Sequence, residues 1–452
     1  MKRFLLISLF LLCAFTQVKA QAYFAFYELR DLVQQTQTVQ PAFIPNNSVS
    51  VSMPALNIGT SIQADFKLEQ LLSKDDNGLF VVDFDVLRES AQRENYTNFN
   101  LTANLFMLNI KTSAGAFSLF ANSRANLDLV YGEPLLEFLA NGNSNAIGSS
   151  IDLSDTKVLM NTFNEYGLGY AHEFLNKKLT LGARVKMVQG LFHGSLDDDF
   201  QGTLHTREND FLWTMNVQNG QVNTAGLDFF FLDSEADNLT DYVISNNNTS
   251  FAFDFGAKYK ILPFLTVEAS VNDIGNLQWT EKVRNYQTED AEVTYQGVDL
   301  QNIGEADNIL RDSLLSKFNS NETEIAFESP LGMRYYLTLT GNITPNDRFS
   351  FTYFKNSAFE DIPGNYALSF NHRFENFVIG AVGSYRRANT EFNVGASLAA
   401  NIGPFQVYTA LDNILVMNKP EQYSKFDFKF GLNLMFGYKK WRKDKVVDLD
   451  RL

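Results

Sequence analysis

The chain has little cysteine and no long apolar run outside its start, and these absences exclude several classes of protein. Its single cysteine, Cys13, lies within the first twenty residues. If that segment is removed, no disulfide framework and no thiol chemistry remain. A lipoprotein signal at Cys13 is the alternative, which the large Leu12 before it argues against. No later stretch reaches about 18 consecutive apolar residues, which excludes membrane-spanning helices.

The first twenty residues have the layout of a secretory signal peptide. Lys2 and Arg3 form a positive region, and the stretch 4–15 is almost unbroken in apolar residues. Val18 and Ala20 place small residues at the −3 and −1 positions of a cleavage site. We therefore expect this segment to be removed during export.

The charge of the chain excludes a further set of partners. The formal net charge is −15, and the presumed signal carries Lys2, Arg3 and Lys19 without an acid, so the remaining chain has −15 − 3 = −18. Such a chain repels nucleic acid. It also lacks a polybasic patch for anionic lipid surfaces. The sequence indicates no cofactor.

Aromatic residues are abundant, and they recur at alternate positions. Phenylalanine and tyrosine account for 41 and 18 residues. In the segment 251–261, Phe251, Phe253 and Phe255 alternate with small or polar residues such as Asp254. Successive side chains of a strand point to opposite faces, so each such segment has one apolar and one polar or small face. Four further segments follow the same rule: 179–187, 366–371, 392–401 and 426–438.

The length of these segments distinguishes between two all-β folds. Strands of soluble sheets average five or six residues, whereas several segments here reach ten or more. A tilted strand of roughly 9–11 residues is what a bilayer requires. We therefore predict a closed antiparallel transmembrane β-barrel of about fourteen strands (12–16). A soluble sheet is the alternative.

Short and long connections are expected to alternate along the barrel. Long polar segments at 195–250, 284–325 and 387–390 are typical of extracellular loops, and short turns of periplasmic ones. Helix-like spacing occurs within or beside the loops at 133–140, 234–245 and 300–318. Tight turns rich in Pro, Gly, Asn and Asp are predicted at 176–178, 262–264, 344–347, 375–376 and 403–404.

The chain is accordingly divided into four parts. Residues 1–20 form the signal peptide, 47–438 form the barrel, and 439–452 form a charged periplasmic tail. Residues 21–46 precede the first strand and carry an aromatic cluster, which suggests a plug folded into the lumen. The cluster consists of Tyr23, Phe24, Phe26 and Tyr27.

Three short motifs carry a resemblance to a known family. They are Gln40-Pro41-Ala42-Phe43-Ile44-Pro45, which is similar to an Asn-Pro-Ala segment of Bacteroidota outer-membrane barrels, the strand 49–58, and the stretch 271–279. Together they resemble the family of unknown function DUF5723, which lies near the long-chain fatty-acid transporter (FadL-like) and type IX secretion barrels. The sequence departs from the pattern at Gln40 and in its charged tail. The resemblance implies a fold and the outer membrane, and no chemistry.

Motifs for catalysis or metal binding are absent. There is no Gly-x-Ser-x-Gly, His-Glu-x-x-His or phosphate-binding glycine loop. His193 and His205 bracket 197–199, an acidic run that a metal site would need, but a solvated extracellular loop is the favoured interpretation. Asp273 and Asp412 each end a strand and are interpreted as turn and capping residues rather than a working carboxylate pair.

Nine charged residues lie on the polar phase of their strands and are candidates to line the lumen. One interpretation is a polar pathway or solute site. The other is that these mixed charges pair across a narrow interior. They are Arg184, Lys186, Asp254, Lys258, Lys260, Glu268, Arg373, Asp427 and Lys429.

Two functions are compatible with these features of the sequence. The first is passive transport of a hydrophobic or small amphipathic solute, which requires a lateral opening or an apolar lumen pocket. The second is a structural or adaptor barrel that partners an envelope machine for secretion, gliding or assembly, which requires a barrel without an open path. A membrane hydrolase ranks behind both. The expected partners are outer-membrane lipid and other envelope proteins.

Overall fold

A computed structural model describes most of the chain. The described residues are 23–54, 56–67, 72–74, 80–82, 88–89, 92–141, 144–210, 212–231, 239–288, 291–295, 321–358, 364–386, 391–418 and 422–437.

Within these residues, fourteen strands form one closed antiparallel barrel, which confirms the predicted fold class and strand number. The first strand has two parts separated by a break near Pro54. The strands are β1 (Val49–Ser52 and Asn57–Gln63), β2 (Glu94–Thr112), β3 (Gly115–Gly132), β4 (Lys157–Phe174), β5 (Leu179–Leu196), β6 (Thr249–Leu262), β7 (Leu265–Ile274), β8 (Arg334–Asn342), β9 (Asp347–Asn356), β10 (Asn365–Arg373), β11 (Phe377–Arg386), β12 (Glu391–Ile402), β13 (Phe405–Leu411) and β14 (Lys425–Phe436).

The barrel closes between its first and last strands. Ile58 of β1 pairs with Phe430 of β14 on one side and with Ala103 of β2 on the other. Every strand thus has two neighbours, and the ladder has no free edge. Closure satisfies the backbone N–H and C=O groups that an open sheet leaves unpaired.

The connections differ sharply between the two ends of the barrel. At one end, called here the short-turn end, the predicted tight turns are confirmed. At the other, the long-loop end, the connections include 64–93, 133–156, 197–248 and 275–333. The short turns are 113–114, 175–178, 263–264, 343–346, 374–376 and 403–404.

The alternating pattern sorts side chains between the outside and the inside, as predicted. Phe251 is 65% exposed whereas its neighbour Ala252 is fully buried, and Leu368 is 67% exposed whereas Ser369 is 4% exposed. The large apolar side chains therefore cover the outer surface, and small or polar side chains fill the interior. This is the inverse of a soluble fold, whose large apolar residues are buried.

The long connections at 195–250 and 284–325 contain strands in addition to the short helices that the sequence predicted. Four strands form a separate sheet in the order Ala291–Tyr295, Trp213–Gln218, Gln201–Thr206, Ser150–Asp152. The remaining strands outside the fourteen are Leu72–Lys74, Phe80–Val82, Gly220–Ala225, Asn276–Trp279, Val283–Thr288, Asn321–Thr323 and Phe327–Pro330.

Helices occur at the start of the chain and in the long connections. The predicted helix at 133–140 is confirmed, and that at 234–245 is confirmed in its second half, while 300–318, the signal peptide and the tail 439–452 lie outside the described residues. The helices are α1 (Phe24–Tyr27), α2 (Glu133–Asn141), α3 (Asp228–Phe231) and α4 (Leu239–Ser245), with 3-10 turns at Arg30–Leu32, Gln34–Thr38, Ser144–Ala146 and Leu415–Met417.

Candidate functional site in the barrel interior

The N-terminal segment, residues 23–47, occupies the interior of the barrel and is almost entirely buried. Helix α1 contacts β11, β12 and β13. Tyr27 stacks on Tyr336 of β8 with ring centroids 5.2 Å apart, and Phe26 packs on Tyr408 of β13 at 5.9 Å. The largest buried apolar cluster among the described residues therefore lies where the segment meets the inner wall.

The start of α1 is held by a carboxylate from the opposite end of the chain. Asp412 accepts hydrogen bonds from the backbone N–H groups of Phe24 at 3.1 Å and Ala25 at 2.6 Å. These are N–H groups that a helix leaves without internal partners. Lys425 of β14 donates to the same carboxylate at 3.0 Å, so the negative charge is also paired.

An acid–base group fixes the segment on the side of β7 to β10. Ser350 and Asn371 donate to the Glu28 carboxylate at 2.6 and 2.9 Å. Arg30 forms an ion pair with Glu268 and donates to Thr340 at 2.9 Å. All of these groups are buried, and hydrogen bonds to buried charges are the strong ones.

The same contacts shift the ionisation of Glu28. Burial raises the pKa of its carboxyl, but the charges of Arg30 and Arg348 outweigh burial and hold the pKa below its ordinary value of 4.5. The Glu28 carboxyl group is therefore ionised inside the lumen at neutral pH.

Two glycines of the wall accommodate the segment 40–42. Gly182 of β5 pairs directly with Gly256 of β6. A Cβ atom at Gly182 would lie 2.2 Å from the carbonyl oxygen of Pro41, and one at Gly256 would lie 2.0 Å from Gln40 Oε1. Any side chain at either position would collide with the segment. The Gln-Pro-Ala motif thus fits a place in the wall that has no side chains.

The outer surface of the wall is concave at this place. A groove of about 800 Å³ runs over β4 to β9 and is lined almost wholly by apolar atoms. Its floor includes Gly182, Gly256 and Ala269, and bulky residues such as Phe255 and Tyr335 stand at its sides. The groove is of the size and character of small-molecule sites. Only backbone and small side chains separate it from the segment 40–42.

A second buried cluster of charges lies between the segment and the long-loop end. The Asp273 carboxylate is bonded by Arg124 at 3.0 Å, by Arg334 at 2.7 Å and by Lys186. Glu165 pairs with Arg124 at 2.9 Å. Asp254 pairs with Lys186 at 2.8 Å, so the three cations face three carboxylates, and removal of any one carboxylate leaves an uncompensated charge.

The nine predicted lumen residues fall into three environments. Six are buried in the interior: Arg184, Lys186, Asp254, Glu268, Asp427 and Lys429. Among the buried six, Lys429 lies 4.0 Å from the ring centroid of Tyr23. Two are half-buried: Lys258 pairs with Asp31 at 3.3 Å, and Arg373 lines a cavity of about 150 Å³ near the short-turn end. The last, Lys260, is exposed at the end of β6.

Asp273 and Asp412, interpreted from sequence as turn and capping residues, lie at strand ends, and Asp412 caps α1, but both also belong to buried charge clusters. Both are buried, and both follow one pattern: the N–H of Asp273 donates to Asp254 at 2.7 Å, and that of Asp412 to Asp427 at 2.6 Å. Lys186 forms ion pairs with Asp254 and Asp273, and Lys425 forms ion pairs with Asp412 and Asp427. Four further members of these clusters were not predicted, although each lies on a strand whose inward-facing positions can be deduced from the alternation of apolar and polar residues. They are Arg124, Glu165, Arg334 and Lys425.

The expectation for His193 was wrong, because this residue lies on β5 and is fully buried rather than in a solvated loop. Its Nδ1 lies 2.7 Å from Asn161 Oδ1, and its Nε2 lies 2.9 Å from Ser195 Oγ. His205 lies on the separate sheet and contacts Ser150 at 3.2 Å. Sequence inspection found no Ser–His pair; the structure places one here.

Two kinds of feature are absent from the described residues. No group of three or more His, Cys, Asp or Glu side chains there is arranged to hold a metal ion. No helix in the described ranges is long and apolar enough to cross a membrane.

Comparison with known proteins gives one family and several distant folds. The model of a family of unknown function (DUF5723) matches residues 41–412. No curated protein matches the chain.

Several solved structures are similar to this chain, among them transporters, porins and the outer-membrane protease OmpT of Escherichia coli. A Pseudomonas aeruginosa FadL homologue has 9% identity and a TM-score of 0.42, covering 94% of this chain and 100% of that one. The Ralstonia pickettii toluene transporter TbuX has 9% identity and a TM-score of 0.40, covering 93% and 95%. The Pseudomonas putida toluene transporter TodX has 8% identity and a TM-score of 0.38, covering 92% and 98%. At these values the similarities carry no information on a solute.

Proposed function

The chain belongs to the DUF5723 family of unknown function, and we propose that it is an outer-membrane barrel that transfers a hydrophobic or small amphipathic solute passively, with its N-terminal segment as the plug. Its location is supported by the exposed apolar surface on all sides of a closed barrel. Soluble monomers rarely expose apolar patches of more than a few hundred Å². The outer membrane of a Bacteroidota bacterium and a cleaved signal at 1–20 are part of this proposal.

One observation carries the transport proposal. The apolar outer groove and the segment 40–42 lie on opposite sides of the wall at the glycine pair Gly182 and Gly256. At this place the wall between groove and lumen is thin, since neither wall position has a side chain. Movement of the segment away from the glycines would clear the inner side of the wall, and a lateral route for an apolar solute would then need only a local parting of the paired strands β5 and β6.

The plug can be displaced by adding side chains where the structure leaves no room. Gly182→Val introduces atoms that collide with the backbone of Pro41, whereas Gly341→Val on β8 is a matched control because nothing lies within 4 Å of its Cβ position. Both proteins are inserted in liposomes, and uptake of a small aromatic hydrocarbon is measured beside that of a charged solute. We expect faster hydrocarbon uptake with Gly182→Val and wild-type uptake with Gly341→Val.

A second function is favoured by the density of the interior. The segment 23–47 is buried and hydrogen-bonded to many strands, and charged clusters fill the space beside it. A barrel that never opens would serve as an adaptor for an envelope machine, such as the type IX secretion apparatus, with other envelope proteins as partners. Equal uptake by Gly182→Val, by a protein lacking 23–40 and by empty liposomes would reject transport and leave the adaptor.

A further inference from the structure

Three polar side chains near the long-loop end form a hydrogen-bonded chain that neither transport nor plugging uses. Ser195 and His193 lie two residues apart on β5, and Asn161 lies on β4 directly opposite His193. Ser195 Oγ lies 2.9 Å from His193 Nε2, and His193 Nδ1 lies 2.7 Å from Asn161 Oδ1. The order of groups is hydroxyl, imidazole, amide.

The surroundings determine which atoms donate. The Asn161 amide nitrogen donates to the carbonyl oxygen of Pro330 at 3.1 Å, and a carbonyl can only accept. The amide oxygen of Asn161 must then face His193, so Nδ1 carries the proton and donates. Nε2 is left with its lone pair towards Ser195, whose hydroxyl donates to it. This is the tautomer in which a histidine serves as a general base.

The arrangement is rigidly supported. The imidazole of His193 packs against the rings of Trp279 and Phe327, with centroids 5.1 and 5.0 Å away, and these two rings also stack on each other at 6.3 Å. Ser329 donates to Asn161 Oδ1 at 3.1 Å and accepts from Trp279 Nε1 at 2.9 Å. The base and the amide that orients it are buried, whereas Ser195 is only half-buried. A nucleophile that is more open than its base is what an acyl-transfer site needs.

We propose that Ser195, His193 and Asn161 form a serine acyl-transfer site that hydrolyses carboxylic esters with an apolar acyl group. Ser195 Oγ attacks the ester carbonyl while His193 Nε2 takes the hydroxyl proton. The C–O bond to the alcohol then breaks, and the alcohol leaves with that proton. Water, activated by the same imidazole, attacks the acyl-serine, releases the carboxylic acid and returns the proton to Ser195. The neighbouring Trp279 and Phe327 rings favour an apolar acyl group.

The test is covalent labelling of the full-length protein, folded in detergent, with a fluorophosphonate probe. We expect one label on the wild-type chain, located at Ser195 by mass spectrometry and lost in Ser195→Ala. Ser397→Ala, a buried serine of β12 with no histidine beside it, should label like wild type. His193→Gln and Asn161→Ala should label at least about 10-fold more slowly, because a general base contributes roughly 10²–10⁴-fold. No label on wild type, or equal labelling of Ser195→Ala, overturns the proposal.

A second measurement does not require the His193→Gln variant to fold. Ser195→Cys, expressed without residues 1–20, has a single thiol next to His193, and a neighbouring base raises thiolate reactivity. We expect alkylation by iodoacetamide at pH 6.5 to be at least about 10-fold faster than for an exposed model thiol, and p-nitrophenyl butyrate hydrolysis by wild type to be lost in Ser195→Ala. An ordinary thiol rate together with unchanged ester hydrolysis contradicts the site. Neither result depends on solute uptake.

Discussion

Asp412 and Ala25 are 387 positions apart in the chain, and yet the Asp412 carboxylate accepts the backbone N–H of Ala25 at 2.6 Å. The same carboxylate accepts the N–H of Phe24 and pairs with Lys425. The beginning of the chain is thus tied to the connection before the last strand. Such a contact joins the first described residues to the last connection of the barrel, so we expect the plug to order late in folding.

Removal of this carboxylate should free the plug. Asp412→Ala leaves the buried N–H groups of Phe24 and Ala25 without their acceptor, at a cost of roughly 1–3 kcal/mol for each unsatisfied group. It also removes one of the two carboxylates that pair with Lys425. The segment 21–48 contains one tryptic site, after Arg30, which is buried in the folded protein. We expect trypsin to cleave after Arg30 much faster in Asp412→Ala than in wild type. Mass spectrometry of samples taken over time measures the rate of this cleavage. Equal rates in Asp412→Ala and wild type would show that Asp412 does not hold the segment.

The Asp273 cluster should dominate the stability of the long-loop half. Asp273→Asn removes the negative charge that pairs with the buried Arg124 and Lys186 and the partly buried Arg334, and breaking a buried ion pair costs about 3–5 kcal/mol. Asp210→Asn is the matched control: its pair with Arg207 is 45% and 46% exposed, and surface pairs contribute about 0–1 kcal/mol. Urea titration of the folded, heat-modifiable band on gels measures both variants. Equal midpoints would contradict the role of Asp273.

Acid should loosen the plug through Glu28. Because the folded pKa lies below 4.5, the ionised carboxylate contributes stability that is fully present above that value and is lost as pH falls through the lowered one. Asp31 is shifted in the same direction. We expect the release of the plug to be constant from about pH 8 to 5 and to rise below about pH 4. It is measured as hydrocarbon uptake, or as cleavage after Arg30 by a protease that is active in acid and specific for that bond. In Glu28→Gln the response should be smaller, and an unchanged response would exclude Glu28.

Apolar wall positions should not tolerate charge. Leu368→Arg places a cation on the outer face of β10, where a lipid environment costs roughly 2–4 kcal/mol at the bilayer midplane. Asn376→Arg in the adjacent short turn is the control, since it adds the same residue in water. We expect a lower yield of folded barrel in liposomes for Leu368→Arg alone. Similar yields for both variants would argue that this face is solvated.

The wall of the barrel was predictable from sequence, and the interior only in part. Alternation such as Phe251 against Ala252 is local, so it reveals strands and faces without knowledge of their neighbours. The partners of Asp273 depend instead on register and closure, which bring Arg124 and Arg334 together from distant strands. No local pattern contains that information. The sequence Asp273-Ile274-Gly275 resembles an ordinary turn, and the φ of 64° at Asp273 is indeed a turn conformation.

The His193 site shows a second limit. A histidine two residues before a serine is unremarkable in sequence, and its meaning depends on Asn161 from the neighbouring strand. The bulge between Thr162 and Phe163 sets the register that brings Asn161 opposite His193. A bulge of this kind leaves no clear mark in the amino-acid pattern.

Lipid contact on the outer wall can be measured directly with a fluorophore on a single cysteine. Leu368→Cys and Asn376→Cys are labelled in protein lacking residues 1–20, which has no other cysteine, and inserted in liposomes with and without brominated acyl chains. Strong quenching at position 368 with little at 376 is the result expected of a membrane barrel. A water-soluble protein that shows no quenching at 368 would contradict it.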